Sequence, residues 1–252
     1  MMRQGVWRDL WPGIRRLYQG SDTESASLRG AHLGEVLRLT PYAMSANLGS
    51  ALIVAWVYGT PAPPGLWAWV ALMALYCSLA LWAWRSMSGV PRRSASRRTL
   101  RRATWQAALL AALWGGMAVQ WFPGATVGQQ TTVATLVTGM IGAGSFVLSP
   151  LPLASLAWVG VLSVASLLAI WREGDASMTG VALLVGLYSP MVAIGALASW
   201  RKATALIQSQ AHAARQEQLL AVALQDFEQQ AGDALWETGR SGGSAHPRPD
   251  RV

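Results

Sequence analysis

Hydrophobic positions along this chain follow two patterns, and the change falls near residue 200. Before it come six nearly unbroken apolar segments, roughly 42–59, 66–84, 103–122, 128–148, 151–171 and 179–200. Each is close to the ~20 residues a helix needs to cross a bilayer. Only Ser149-Pro150 separates the fourth from the fifth, and the prolines at 150 and 152 prevent one long helix. After residue 200 the apolar residues recur every seventh position. Leu206, Ala213, Leu220, Phe227 and Ala234 form one row, and Gln210, Glu217, Leu224 and Ala231 form its partner. That is a coiled-coil seam, weak where Gln210 and Glu217 interrupt it and firm from Leu220 onward. The prediction is an all-α polytopic membrane protein with six transmembrane helices and a cytosolic, coiled-coil-like C-terminal helix.

Four regions follow. Residues 1–40 form a cytosolic or interfacial N-terminal segment, 41–200 the transmembrane domain, 201–238 a signalling helix and 239–252 a disordered tail. Trp7, Leu10, Trp11, Ile14, Leu17 and Tyr18 have helical spacing among arginines, as in a helix lying on a membrane surface, although Pro12-Gly13 interrupts it. Residues 20–27 read as a linker. Leu28, Leu33, Val36 and Leu37 then give a short amphipathic helix that ends before Pro41. No apolar signal-peptide core precedes these elements, so no cleavage is expected.

Charge fixes the sidedness. The connection 85–102 holds seven arginines and no acidic residue. The connections at 60–65, 123–127 and 149–150 hold no charge, and 172–178 holds Arg172, Glu173 and Asp175. By the positive-inside rule the arginine-rich connection stays in the cytosol. Both termini are then cytoplasmic, and 19 of the 20 Lys and Arg residues share that side. A net charge of +8 distributed in this way faces anionic lipid, not nucleic acid. Tryptophan agrees with the boundaries. Trp56, Trp67, Trp69, Trp121 and Trp171 mark outer ends, and Trp82, Trp84, Trp105 and Trp200 mark inner ends. Trp114 and Trp158 fall nearer the middle of their spans.

None of the six spans contains Asp, Glu, Lys, Arg or His. Intramembrane ionisable groups normally mark proton relays and ion pathways, so pumps, proton-coupled carriers and voltage sensors are excluded. His32, His212 and His246 lie outside the spans, and no cofactor or metal site is expected there. His212 lacks the acidic neighbour and proline of a phosphoacceptor box. Cys77 is the only cysteine, which excludes an intrachain disulfide. Gly142-Ala143-Gly144-Ser145 is similar to the serine motif of six-helix intramembrane proteases, but the sixth span has no His to activate the serine. No catalytic residue is assigned. Thr131, Thr135, Thr138, Gly139 and Gly142 instead make a small-residue stripe for close helix packing. The competing reading of the same region is a ligand pocket formed by Trp114, Gly139, Gly142, Trp158, Tyr188 and Pro190.

Several segments carry a resemblance: Val36–Pro41 (VLRLTP), Ala46-Asn47, Thr138-Gly139-Met140, Gly144, Pro152 and Leu224–Thr238 (LQDFEQQAGDALWET). Together they resemble the N-terminal membrane sensor region of bacterial cyclic-di-GMP signalling proteins, over about residues 29–238. In that family a multi-span sensor precedes PAS, GGDEF and EAL domains. Residues 233–238 are similar to the family's PAS entrance, with Ala234 where a Trp is usual and Gly239 where an Asp is usual. No GGDEF or EAL motif is present, so no catalytic activity carries over, and the chain reads as a fragment or as a protein without output domains. The resemblance implies a non-catalytic input module in a bacterial inner membrane. It would relay a membrane or apolar-ligand signal to a downstream or separate signalling domain. The seam of Leu220, Leu224, Phe227 and Ala231 implies a homodimer through 218–238. The alternatives are a small-molecule channel or facilitator and a structural anchor or assembly subunit.

Overall fold

A computed structural model describes residues 10–20, 22–59, 61–87 and 94–241. Among them there are helices and no strands. They are α1 (Leu10–Gln19), α2 (Thr23–Tyr58), α3 (Leu66–Met87), α4 (Arg97–Trp121), α5 (Val127–Val147), α6 (Pro152–Glu173) and α7 (Thr179–Ser241), with a short 3-10 turn at Ala176–Met178. The chain divides into two compact units, Met1–Thr204 and Ala205–Val252. Each of α2 to α7 contains one of the six apolar segments. Among the described residues three helices are long and apolar enough to cross a membrane, over Leu66–Ser86, Pro152–Glu173 and Ala176–Ala221. α2, α4 and α5 are less apolar because they carry Asn47, Gln106, Gln120, Gln129 and Gln130 among their alanines, glycines and threonines.

The ends of these elements have local causes. Ser96 accepts a bond from the Thr99 amide at the start of α4. Thr126 and Gln129 form a reciprocal capping box on α5. Pro152 opens α6, where a missing N–H costs nothing, so α5 and α6 are separate helices as expected. Pro12 lies in the first turn of α1 and is tolerated for the same reason.

Pro41 departs from expectation. No short helix ends before it, and residues 23–27 are not linker. α2 runs through Pro41 as one helix of 36 residues. The Thr40 hydroxyl bonds the Val36 carbonyl at 2.9 Å, beside the Leu37 carbonyl that Pro41 leaves without a donor. The same device recurs at Pro190 inside α7, where the Ser189 hydroxyl bonds the Val185 carbonyl at 2.7 Å. In both helices the hydroxyl bonds the carbonyl four residues before it, one position ahead of the carbonyl that the proline leaves without a donor, Leu37 or Gly186.

Helix α4 packs most extensively on α6, α2 on α3, and α5 on both α6 and α2. Two cores result. The larger includes Tyr58, Leu66, Trp69, Trp114, Trp121, Val133, Ile141, Trp158 and Leu162. The smaller joins Leu10, Ile14 and Leu17 of α1 to Leu33, Leu100, Leu151 and Trp200. Of the tryptophans assigned to the two belts, Trp56, Trp67, Trp82, Trp105 and Trp171 are exposed, whereas Trp69, Trp121 and Trp200 are buried.

In the second unit, residues 205–241 are helical. Leu206, Leu219 and Leu220 are exposed. The side chains of Leu224, Phe227 and Ala231 lie outside the described ones, as do residues 242–252. α7 continues past Thr238 to Ser241.

A close contact between α4 and α6 generates a prediction. A Cβ on Gly115 would stand 2.6 Å from the Ala165 Cβ across the α4–α6 seam, whereas one on Gly116 would meet nothing within 4 Å. Gly115→Val is expected to cost about 1–3 kcal/mol of thermal stability in detergent. Gly116→Ala should be neutral, and Ala165→Gly should restore part of the loss caused by Gly115→Ala.

Candidate ligand groove and helical cap

The bundle is polarised along its length. At the end formed by Tyr58, Leu66 and Trp121, aromatic rings fill the space. Trp69 meets Trp114 edge-on at 5.1 Å and Trp121 at 5.7 Å, and Tyr58 lies 6.2 Å from Trp121. Their polar atoms reach backbone carbonyls. Trp69 Nε1 donates to Leu113 O (2.8 Å), the Tyr58 hydroxyl to Trp121 O (2.7 Å) and Trp121 Nε1 to Pro64 O (3.3 Å). Trp114 is fully buried, and its Nε1 donates to Asn47 Oδ1 at 2.7 Å.

Toward the other end, where α4 starts with its arginines, the helices separate. α3 and α4 pack little, as do α4 and α5. A groove of about 1200 Å³ lies between α2, α3, α4 and α5 and reaches Trp158 of α6. Asn47, Tyr76, Arg102, Gln106, Gly139 and Trp158 are among the residues that line it. The Tyr76 hydroxyl crosses the gap between α3 and α4 to Gln106 O at 2.9 Å. Arg102 is the only charged residue of the lining among the described residues.

The residues expected to share a pocket are divided. Gly139 and Trp158 line the groove. Trp114 is packed behind it, one hydrogen bond from Asn47. Gly142 lies on another face of α5, where a Cβ would stand 2.6 Å from the Tyr188 hydroxyl of α7. Pro190 is exposed. Gly144 is the close-approach position instead. A Cβ there would run into the Trp158 indole, whose Nε1 donates to Met140 O at 2.9 Å. Ser145, of the protease-like motif, is buried with its Oγ 3.0 Å from that of Ser155.

The smaller core forms a cap at the open end. Arg29 is 4% exposed and bonds three carbonyls: Ala95 (2.8 Å), Leu17 (3.2 Å) and Gly20 (3.0 Å). Its guanidinium thus closes the C-terminus of α1 and holds the end of the arginine-rich connection. Burial, then the neighbouring Arg97, lowers its pKa, with Asp22 opposing. Gly13 of α1 lies under the Trp200 ring, and a Cβ there would be 3.0 Å from its edge.

His32 is 0% exposed. Its Nε2 lies 3.2 Å from Thr204 Oγ1, and the Thr204 hydroxyl donates to Trp200 O at 2.9 Å. A hydroxyl has one proton, so Thr204 accepts from His32 Nε2–H. Nδ1 is then unprotonated, buried and without a partner among the described residues. Burial pushes the imidazole pKa down to about 4. Neither Arg29 nor His32 was singled out from the sequence as part of a site.

No family model, curated protein or solved structure matches this chain.

The buried imidazole generates a prediction. His32 is neutral in the folded state down to about pH 4, whereas in the unfolded chain it takes up a proton near pH 6.5. Its neutral burial therefore carries no penalty above pH 6.5, and stability falls as pH drops from 6.5 to 4, by roughly 3 kcal/mol at most. Thermal unfolding of the full chain should show this slope, and His32→Phe should flatten it. An unchanged slope in His32→Phe would assign it to other groups.

Proposed function

We propose that this chain is the membrane-embedded input module of a bacterial cyclic-di-GMP-type signalling protein. It crosses the inner membrane six times through α2 to α7, with both termini cytoplasmic. It has no catalytic role. It passes a signal from an apolar ligand or from the bilayer along residues 201–238 to a signalling domain, attached downstream or separate, and works as a homodimer through 218–238.

One observation carries this reading. The end of the sixth apolar segment is gripped by the N-terminal cap, through Thr204 on His32 and Trp200 on Gly13. From the same segment α7 runs on to Ser241 without interruption. A plain anchor has no need for a buried polar clasp at that point. A clasp with an unsatisfied imidazole nitrogen is suited to a two-state element, because modest differential energy shifts such an equilibrium. Pro190 gives the same helix a place to bend. The channel or facilitator reading is disfavoured by the aromatic wedge of Tyr58, Trp69, Trp114 and Trp121, which fills the end of the bundle opposite the groove.

Fusion of residues 1–238 to a PAS–GGDEF module from a related protein tests the reading. Three variants alter the relay separately: Thr204→Val removes the clasp bond, Pro190→Ala stiffens the span, and Gln210→Leu with Glu217→Leu strengthens the seam. Cyclic-di-GMP output is expected to change at least about twofold in each, a shift of well under 1 kcal/mol. Unaltered output in all three, with normal insertion, would reduce the bundle to an anchor.

A further inference from the structure

The groove identifies its own class of occupant. Its lining is apolar except for a few hydroxyl and amide side chains and one charge, Arg102. Arg102 is exposed and makes no hydrogen bond or ion pair with a described residue, and among the described residues no carboxylate lines the groove. Thr99 and Gln106 lie one turn to either side of it on α4, so cation and neutral donors collect at one end. From Thr99 to Leu110 the groove follows α4 for roughly 17 Å at 1.5 Å per residue. That is close to the depth of one leaflet, half of the ~30 Å hydrocarbon core. The volume of about 1200 Å³ exceeds the roughly 300–1,000 Å³ of clefts that take compact ligands. The Tyr76–Gln106 bond straps α3 to α4 partway along the gap.

We propose that the groove binds a long-chain fatty acid, with its carboxylate on Arg102 and its chain directed past Gly139 toward Trp158. The identity of the ligand rests on the sensory reading above, but its binding is measurable without any output domain. A carboxylate on Arg102 makes charge-assisted bonds, and apolar burial of the chain supplies the rest of the affinity. Gly139 offers a way to fill the groove without disturbing the fold, because a Cβ there meets nothing within 4 Å.

The test uses the full chain in phosphatidylcholine nanodiscs and dibromostearate as probe. Bromine quenches indole fluorescence on contact, and Trp82, Trp84 and Trp158 line the groove. Saturable quenching is expected. Arg102→Glu should weaken it about tenfold, in keeping with the loss of one charge-assisted contact. Gly139→Phe should abolish it, and Arg101→Glu, next along the chain but outside the lining, should leave it unchanged. Equal weakening by Arg101→Glu and Arg102→Glu would reveal surface charge alone and overturn the proposal. Binding lost in Gly139→Phe but intact in Arg102→Glu would overturn it in favour of an uncharged occupant. Equal quenching by brominated phosphatidylcholine, displaced by no fatty acid, would make the groove a cleft for bulk lipid. Wild-type quenching in both groove variants would remove the site altogether. If binding fails while the fusion's output still responds to the relay variants, the sensory reading stands without this ligand. If binding holds while output never responds, the groove is a lipid site on an anchor.

Discussion

Between the helices of this bundle, buried polar groups take their partners from backbone carbonyls and neighbouring side chains, and that constraint organises the rest. Where the surroundings are apolar, an unmade hydrogen bond costs several kcal/mol. α4 answers it as an acceptor. Its carbonyls at Gln106, Leu113 and Trp121 take donors from Tyr76, Trp69 and Tyr58, which lie on two neighbouring helices. These bonds fix the aromatic rings, the rings fix the spacing of the helices, and the spacing leaves one end of the bundle filled and the other open. Thr40 and Ser189 add hydroxyl bonds to the Val36 and Val185 carbonyls, each one position from the carbonyl that the following proline leaves without a donor.

The open end is closed by different means. Arg29 is held by three carbonyls at the end of α1 and beside α4. A buried cation bonded to three carbonyls holds position through geometry, and removing any one carbonyl's alignment weakens it. The cap therefore registers the mutual placement of α1, α2 and the start of α4. His32 and Gly13 bring the end of the last apolar segment, at Trp200 and Thr204, into the same assembly. A ligand that spreads or draws together α2 and α4 through the groove would act on that cap directly, since Leu33 and Ala107 belong to both the groove and the small core.

Much of the architecture was legible in the sequence, because it depends on segment length and composition. Helices α3, α6 and α7 announced themselves through unbroken apolar runs, and Pro152 separated α5 from α6. The groove was legible in part. Leu33, Val36, Leu37, Thr40, Ala43, Met44, Asn47 and Ser50 form one continuous helical stripe on its wall. Reading Pro41 as a stop cut that stripe in two, whereas the helix runs through it. On α5 the small-residue stripe straddles two faces. Gly139, Met140, Ala143, Gly144 and Val147 line the groove, whereas Gly142 faces Tyr188 and Ser145 faces Ser155. Small residues on adjacent faces look alike until the partners are placed. Of the tryptophans at the span ends, Trp56 and Trp171 are exposed, whereas Trp69, Trp121 and Trp200 are buried and their positions are decided by helix neighbours. Arg29 and His32 left no signal, because burial outside an apolar segment depends on the cap itself.

The central claim is that six helices cross the membrane with the cap and the groove's arginine on the cytosolic side. Thiol accessibility in intact cells tests it most directly. With Cys77→Ala as background, single cysteines are placed at Ala62, Ala125 and Ala176 in three connections and at Ser94 beside the cap. A membrane-impermeant maleimide should label the first three in whole cells and label Ser94→Cys only after permeabilisation. Labelling of Ser94→Cys in intact cells, or protection of any of the other three, would contradict the account.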